Sequence, residues 1–378
     1  MSENLRKVHD AGVAVWLDGL DRDLVSSGRL AELVRDRYVV GVATDAATWR
    51  QAIVGNAAYD EQLRSLAEQG VTAEEAVRAI IVEDVRAAAD VLRPVHDATD
   101  GADGWVSLQI NPRLANRSDP TVAEAKELVR LIDRPNVVLR IPSNEAGYYA
   151  ISSIVGAGIS VDATHLVSHR RWRLMIDAIL AGLEEAKTNG HDLRKINSVA
   201  SFFVGRVDLL SDDRLKALGT PEALALVGKG ALANAQLALQ DYDKLFGRAE
   251  SGQEAAEEWA GLAAAGARPT RLLWSSTTVT NPELADTAYV DGLVASDVIT
   301  AMSQATLDAV ADHSGNDGSD VVRPNFAKAL EILSSLRIIG HRLIVQTLEE
   351  EILEEARASW KDLVDRTAAE LEKLRANR

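Results

Sequence analysis

The chain has 378 residues, 47% of them hydrophobic, enough for a sizeable core in one large domain with additions. Its 41 Lys and Arg against 57 Asp and Glu give a formal net charge of −16. That argues against nucleic-acid or anionic-membrane partners, which need broad basic surface, but leaves room for a local basic pocket around a phosphate. There is no cysteine, so disulfides, thiolate metal sites and cysteine nucleophiles are excluded.

The start, MSENLRKVHD, has no apolar h-region and does not read as a secretory signal. No apolar run approaches the roughly 20 residues of a membrane span, and a cytoplasmic protein is the expectation. Short apolar runs then alternate with long amphipathic stretches. Strands are predicted at 13–18, 38–43, 105–111, 137–142, 159–167, 198–204, 271–276 and 289–295, the last on YVDGLVA. Between them, 121–132 carries Val122, Ala125, Leu128, Val129 and Ile132 at helical spacing, and 170–190 ends in a glycine stop. Strands alternating with helices imply parallel βαβ units. Eight of them in one domain point to an α/β fold of the (β/α)8 TIM-barrel kind. Residues 58–97 read as a helical insertion after the second strand. Residues 246–268 read as an Ala-, Glu- and Gly-rich helix-loop. The segment 324–378 reads as one or two charged amphipathic helices packed on the barrel with a solvated face.

The fourth predicted strand, VVLRIP, carries Arg140 in an otherwise apolar run. Arginine is almost never fully buried without a partner. Lysine is scarce, with ten in the chain: Lys7, Lys126, Lys187, Lys195, Lys216, Lys229, Lys244, Lys328, Lys361 and Lys373. None falls at the C-terminal end of a predicted strand, where barrel active sites form.

The stretches VWLDGLDRD, NPRLA, NVVLRIP, SVASFFVGRVD, LWSSTTVTNP, YVDGLVA and ATLDA, in this order, resemble the transaldolase family, in particular its long actinobacterial-type branch. The resemblance runs from about residue 10 to the C-terminus. It implies a class I aldolase-type barrel whose site lies at the C-terminal mouth. It also implies transfer of a dihydroxyacetone unit between sugar phosphates, as in the pentose phosphate pathway, through a Schiff base on a fourth-strand lysine. No cofactor or metal is implied. Arg140 stands at the position of that lysine. A guanidinium keeps its proton at any working pH, whereas imine formation needs a neutral amine.

Other family positions also depart. Gln109 stands where a glutamate serves as acid/base through water, and an amide cannot exchange protons. Asp45 and Ala46 replace an Asn-Pro pair, and Asn111 an aspartate. Asp162 replaces an asparagine, and Thr280 a phosphate-holding lysine. Asp18, Thr164 and Ser201 match catalytic positions. Arg206 and Ser276 match phosphate contacts, and a forked arginine suits phosphate geometry.

Each feature also has a plain structural explanation. Arg140 either pairs with a carboxylate, with Asp18, Asp45 and Asp162 expected at the same mouth and the last two serving to neutralise it, or clamps an anionic ligand. His165 and His169 are expected at a helix start, although a histidine suits acid/base work near neutrality. Trp105, Trp172 and Trp274 are expected to pack, and Trp49 to narrow the pocket. Three functions follow. The first is a divergent enzyme, suited to specialised metabolism, acting on a phosphorylated or anionic small molecule without an imine. The second is a non-catalytic pseudoenzyme that binds a sugar phosphate. The third is a working transaldolase with a different amine. A homo-oligomer is compatible with the composition.

Overall fold

Runs that are apolar throughout belong in strands covered on both faces, because parallel sheets are sandwiched by their crossover helices. The computed structural model, which describes residues 2–247 and 254–376, places them in eight parallel strands: β1 (Ala14–Asp18), β2 (Val39–Ala43), β3 (Trp105–Gln109), β4 (Val137–Pro142), β5 (Val161–Leu166), β6 (Ser198–Phe203), β7 (Arg271–Ser275) and β8 (Ile299–Met302). They close in chain order, with β8 pairing back onto β1. The result is a (β/α)8 barrel, as the alternation predicts.

Inside the barrel, Trp16, Trp105, Val138, Val199, Leu273 and Ile299 form a packed plug. Gly41 on β2 makes room for it, since a Cβ there would lie 2.4 Å from the Trp16 ring. Outside, the helices bury their apolar faces. The helix Ala73–Ala98 opens with a capping box of Thr72 and Glu75 and buries Val77, Ile80, Val85 and Leu92. Its N-cap satisfies backbone donors that the first turn leaves open. The stretch 58–97 is therefore two helices, Ala57–Gln69 and Ala73–Ala98, parted at Gly70. The predicted helix-loop at 246–268 contributes Glu257–Ala264, and its residues 248–253 lie outside the described ones.

The eighth strand is a correction. YVDGLVA is not a strand: Ala288–Asp291 is a short helix, and β8 is the four-residue run ITAM further on. Tyr289, Val290, Leu293, Val294 and Ala295 are the buried residues there. Tyr289 and Leu293, and Val290 and Val294, lie four apart, as on a helical turn. The true strand is too short to show a period.

After β8 the chain forms the helices Gln304–His313, Phe326–Ser335 and His341–Ala376. The last crosses the C-terminal ends of the strands. It is tied down by Arg171–Glu349 (2.8 Å) on one side and Arg50–Asp362 (3.7 Å) on the other. No helix among the described residues is long and apolar enough to cross a membrane.

Candidate active site at the barrel mouth

Strand register brings the predicted residues together. Gln109 on β3 pairs with Arg140 on β4, and Arg140 with Asp162 on β5. The three side chains therefore stand abreast on neighbouring strands. Arg140 is 5% exposed and Asp162 fully buried. The guanidinium Nε donates to Asp162 Oδ2 at 3.0 Å, Nη1 to the Thr44 carbonyl at 3.2 Å, and Nη2 to Ser201 Oγ at 3.1 Å and Ser275 Oγ at 3.4 Å. A guanidinium has five N–H donors, so these four bonds leave one. Asp162 Oδ2 also accepts from Ser107 Oγ at 2.6 Å. Arg140 is thus pinned across the barrel by β5, β6, β7 and the loop after β2. The pairing explains why an arginine can sit in that strand: buried charges persist when paired and hydrogen-bonded.

Asp45 does not share that task. It caps the helix Ala46–Ala52, accepting from Thr48 N at 2.9 Å and Thr48 Oγ1 at 3.1 Å, and no ion pair joins it to Arg140. An aspartate after an extended residue and before a helix satisfies first-turn donors, so local capping chemistry claims it first. Gln109 Oε1 accepts from Ala46 N at 2.9 Å and ties the same loop to β3. Ser201 is fully buried with its hydroxyl on Arg140.

Asp18 ends β1 half-buried. It lines a separate open cleft of about 400 Å3 with Gly19, Arg29 and Gln304. Burial and the neighbouring Asp45 charge push its carboxyl up to about 6, against the opposing pull of Arg140. Since the unfolded value is about 3.9, the folded chain binds more protons between about pH 4 and pH 6. Stability from this group therefore falls as pH rises through that window. Asp18→Asn is expected to gain stability over the parent at pH 7 and little at pH 4. Urea midpoints at both pH values check this, and equal differences at the two would refute it.

Beside Arg140 lies a cavity of about 140 Å3, lined by Gln109, Thr164, His165 and Phe203 among others. His165 is 8% exposed and takes a left-handed backbone, φ 64°. Its ring meets Phe203 edge-on at 5.5 Å. Burial, then the Arg140 charge, push its imidazole down to about 3, so it is neutral near pH 7. It lies on β5 in the cavity wall, one residue past Thr164, and is not a helix-start residue. Thr164 Oγ1 and Asp162 Oδ1 are buried without a hydrogen-bond partner, an arrangement that proteins normally satisfy with water or ligand. His169 begins the helix His169–Thr188 and pairs with Asp241 at 3.0 Å. Trp49 is fully buried in the outer core and does not line the cavity, so it packs like Trp105, Trp172 and Trp274. Among the described residues no group of three or more His, Asp or Glu is placed to hold a metal ion.

Arg206 and Ser276 meet at the start of the helix Gly205–Leu218, which has no side-chain N-cap. The Gly205 amide donates to the Ser276 carbonyl at 3.0 Å. Ser276 has φ 57°. A Cβ on Gly205 would lie 2.8 Å from the Ser276 carbonyl oxygen, so glycine permits the approach. Arg206 Nε is buried and unpartnered, while Nη2 donates to Glu355 Oε1 at 2.5 Å.

Glu355 is a site residue that the sequence did not reveal. It belongs to the C-terminal helix, whose Ile352, Glu355, Ala356 and Ser359 form one wall of the cavity. That helix is therefore more than a solvated cover. No local signal marks Glu355 among the acids of EEEILEEARASW, because its place depends on where the helix crosses the mouth.

Fold and site together define a (β/α)8 barrel with a buried, mixed-charge centre at its C-terminal mouth. The chain belongs to the transaldolase family: the model for Transaldolase/Fructose-6-phosphate aldolase matches residues 15–367. Among curated relatives, it is 49% identical over 373 residues to a transaldolase of Thermobifida fusca, covering 98% of this chain and 99% of that one. It is 46% identical over 376 residues to transaldolase 2 of Streptomyces avermitilis, covering 99% of each. It is 44% identical over 371 residues to a transaldolase of Mycolicibacterium smegmatis, covering 98% of each.

Proposed function

We propose that this chain binds a small phosphorylated or otherwise anionic molecule at the barrel mouth and acts on it without forming an imine. A step in specialised metabolism would suit such a site. One observation carries the reading. The residue that the family resemblance aligns with the imine lysine is Arg140, and four of its five N–H donors are spent on Asp162, Thr44, Ser201 and Ser275. All ten lysines lie within the described residues, and none lines the Arg140 cavity or the Asp18 cleft. Lys195 precedes β6, at the opposite end of the barrel from the mouth. Arg206 and Ser276, at a helix start with no side-chain N-cap, are the anion cradle, since a forked guanidinium favours a phosphate. Asp18, with its raised pKa, is the proton-handling group, because acid–base catalysis works best with a pKa near the working pH.

A second reading, favoured by the full-length likeness to relatives named transaldolase, is transfer of a dihydroxyacetone unit through an amine elsewhere. Borohydride trapping with fructose 6-phosphate, read by intact mass, separates the two. No adduct is expected, alongside an adduct in a genuine transaldolase control. A three-carbon adduct would retire the imine-free reading and identify its lysine by peptide mapping.

A further inference from the structure

We propose that Glu355 is a residue of the ligand site, the resident counter-ion of Arg206, which an incoming phosphate replaces. The inference rests on the reading of Arg206 as the anion cradle and adds to it the group that holds the cradle before ligand arrives. Arg206 offers two kinds of donor. Its Nη2 is engaged by Glu355 Oε1 at 2.5 Å. Its Nε is buried with no acceptor, which a native structure seldom leaves unsatisfied. The carboxylate thus fills part of a position that would suit a larger anion with more acceptor oxygens. A phosphate could serve both donors at once, whereas this glutamate serves one.

Exchange at this position is a side-chain event. The helix His341–Ala376 is held by Arg171–Glu349 at one end of its crossing and by Arg50–Asp362 at the other, and Glu355 lies between these ties. Its side chain is 61% exposed, so it can rotate into solvent while the helix stays in place. An exposed ion pair of this kind is weak. It positions Arg206 and is readily displaced, yet it competes with every anion that approaches. Once displaced, it remains a negative charge beside the bound anion, only partly screened at that range.

Glu355→Gln removes both the competition and the repulsion while keeping the shape. Inorganic phosphate is expected to bind the full chain about 3- to 10-fold more tightly in E355Q than in the parent, with Glu355→Ser giving the same direction. The gain should shrink in high salt. Arg206→Gln is expected to abolish phosphate binding in either background. Isothermal titration with phosphate reads all of these, and urea midpoints show that each variant is folded. If Arg206→Gln loses phosphate while E355Q and E355S bind it no better than the parent, Glu355 is a structural tie and the inference falls alone. If neither the parent nor E355Q binds phosphate, or binding survives Arg206→Gln, the cradle itself is misassigned and both readings fall together.

Discussion

Arg140→Leu is expected to cost about 3–5 kcal/mol of stability, the range for removing one partner of a buried ion pair. Asp162 would remain fully buried with Ser107 as its one hydrogen-bonding neighbour, and the Thr44 carbonyl would lose its donor. The double variant Arg140→Leu/Asp162→Leu should recover most of that loss, because apolar replacement of a whole buried pair is often neutral or better. Urea unfolding of the four chains closes the cycle, and residues in direct contact should show coupling well above about 0.5 kcal/mol. A single-variant loss below about 1 kcal/mol would mean that Arg140 is held by water and ligand space more than by Asp162. The result bears on function, because a pinned arginine is architecture first and can offer at most one N–H to a ligand.

Arg140→Lys by itself is expected to restore little dihydroxyacetone transfer. Two obstacles remain after the amine is supplied. Gln109 cannot move a proton, and general acid–base groups are worth about 10²- to 10⁴-fold. Asp162, which abuts the Arg140 side chain, stands where an asparagine is usual by the family resemblance. A buried carboxylate beside a lysine favours its charged form, and the charged form is not a nucleophile. Gln109→Glu should therefore raise transfer in the lysine background by about 10²-fold or more, and Asp162→Asn should raise it again. Coupled assay of fructose 6-phosphate with an aldose phosphate acceptor measures each step. Robust transfer by Arg140→Lys alone would show that neither Gln109 nor Asp162 is limiting.

Much of this protein is legible residue by residue. VVLRIP, SVASFF and RLLWS are strands because they are short and mostly apolar, and parallel strands under helices are the arrangement that dries both faces. TVAEAKELVRLI is helical because its apolar residues share one face. The family resemblance aligns Gln109, Arg140, Asp162 and Thr164 with site positions, so they could be named as neighbours before any coordinates. YVDGLVA misled because its apolar content is strand-like while its buried spacing is helical. Asp45 misled because it has two uses, charge partner and helix cap, and the cap is made within three residues.

The sequence alone determined the α/β alternation and which residue types stand at the strand positions, since each depends on local period or on residue identity. Tertiary structure alone decided what those residues touch. Arg140 reaches partners 22, 61, 96 and 135 positions away, which meet only because eight strands close into a ring. Arg206 and Glu355 lie 149 positions apart and meet because the last helix is tied across that ring. A hydrogen bond is fixed by distance and direction to about an ångström, and neither is encoded in the residues on either side of the donor.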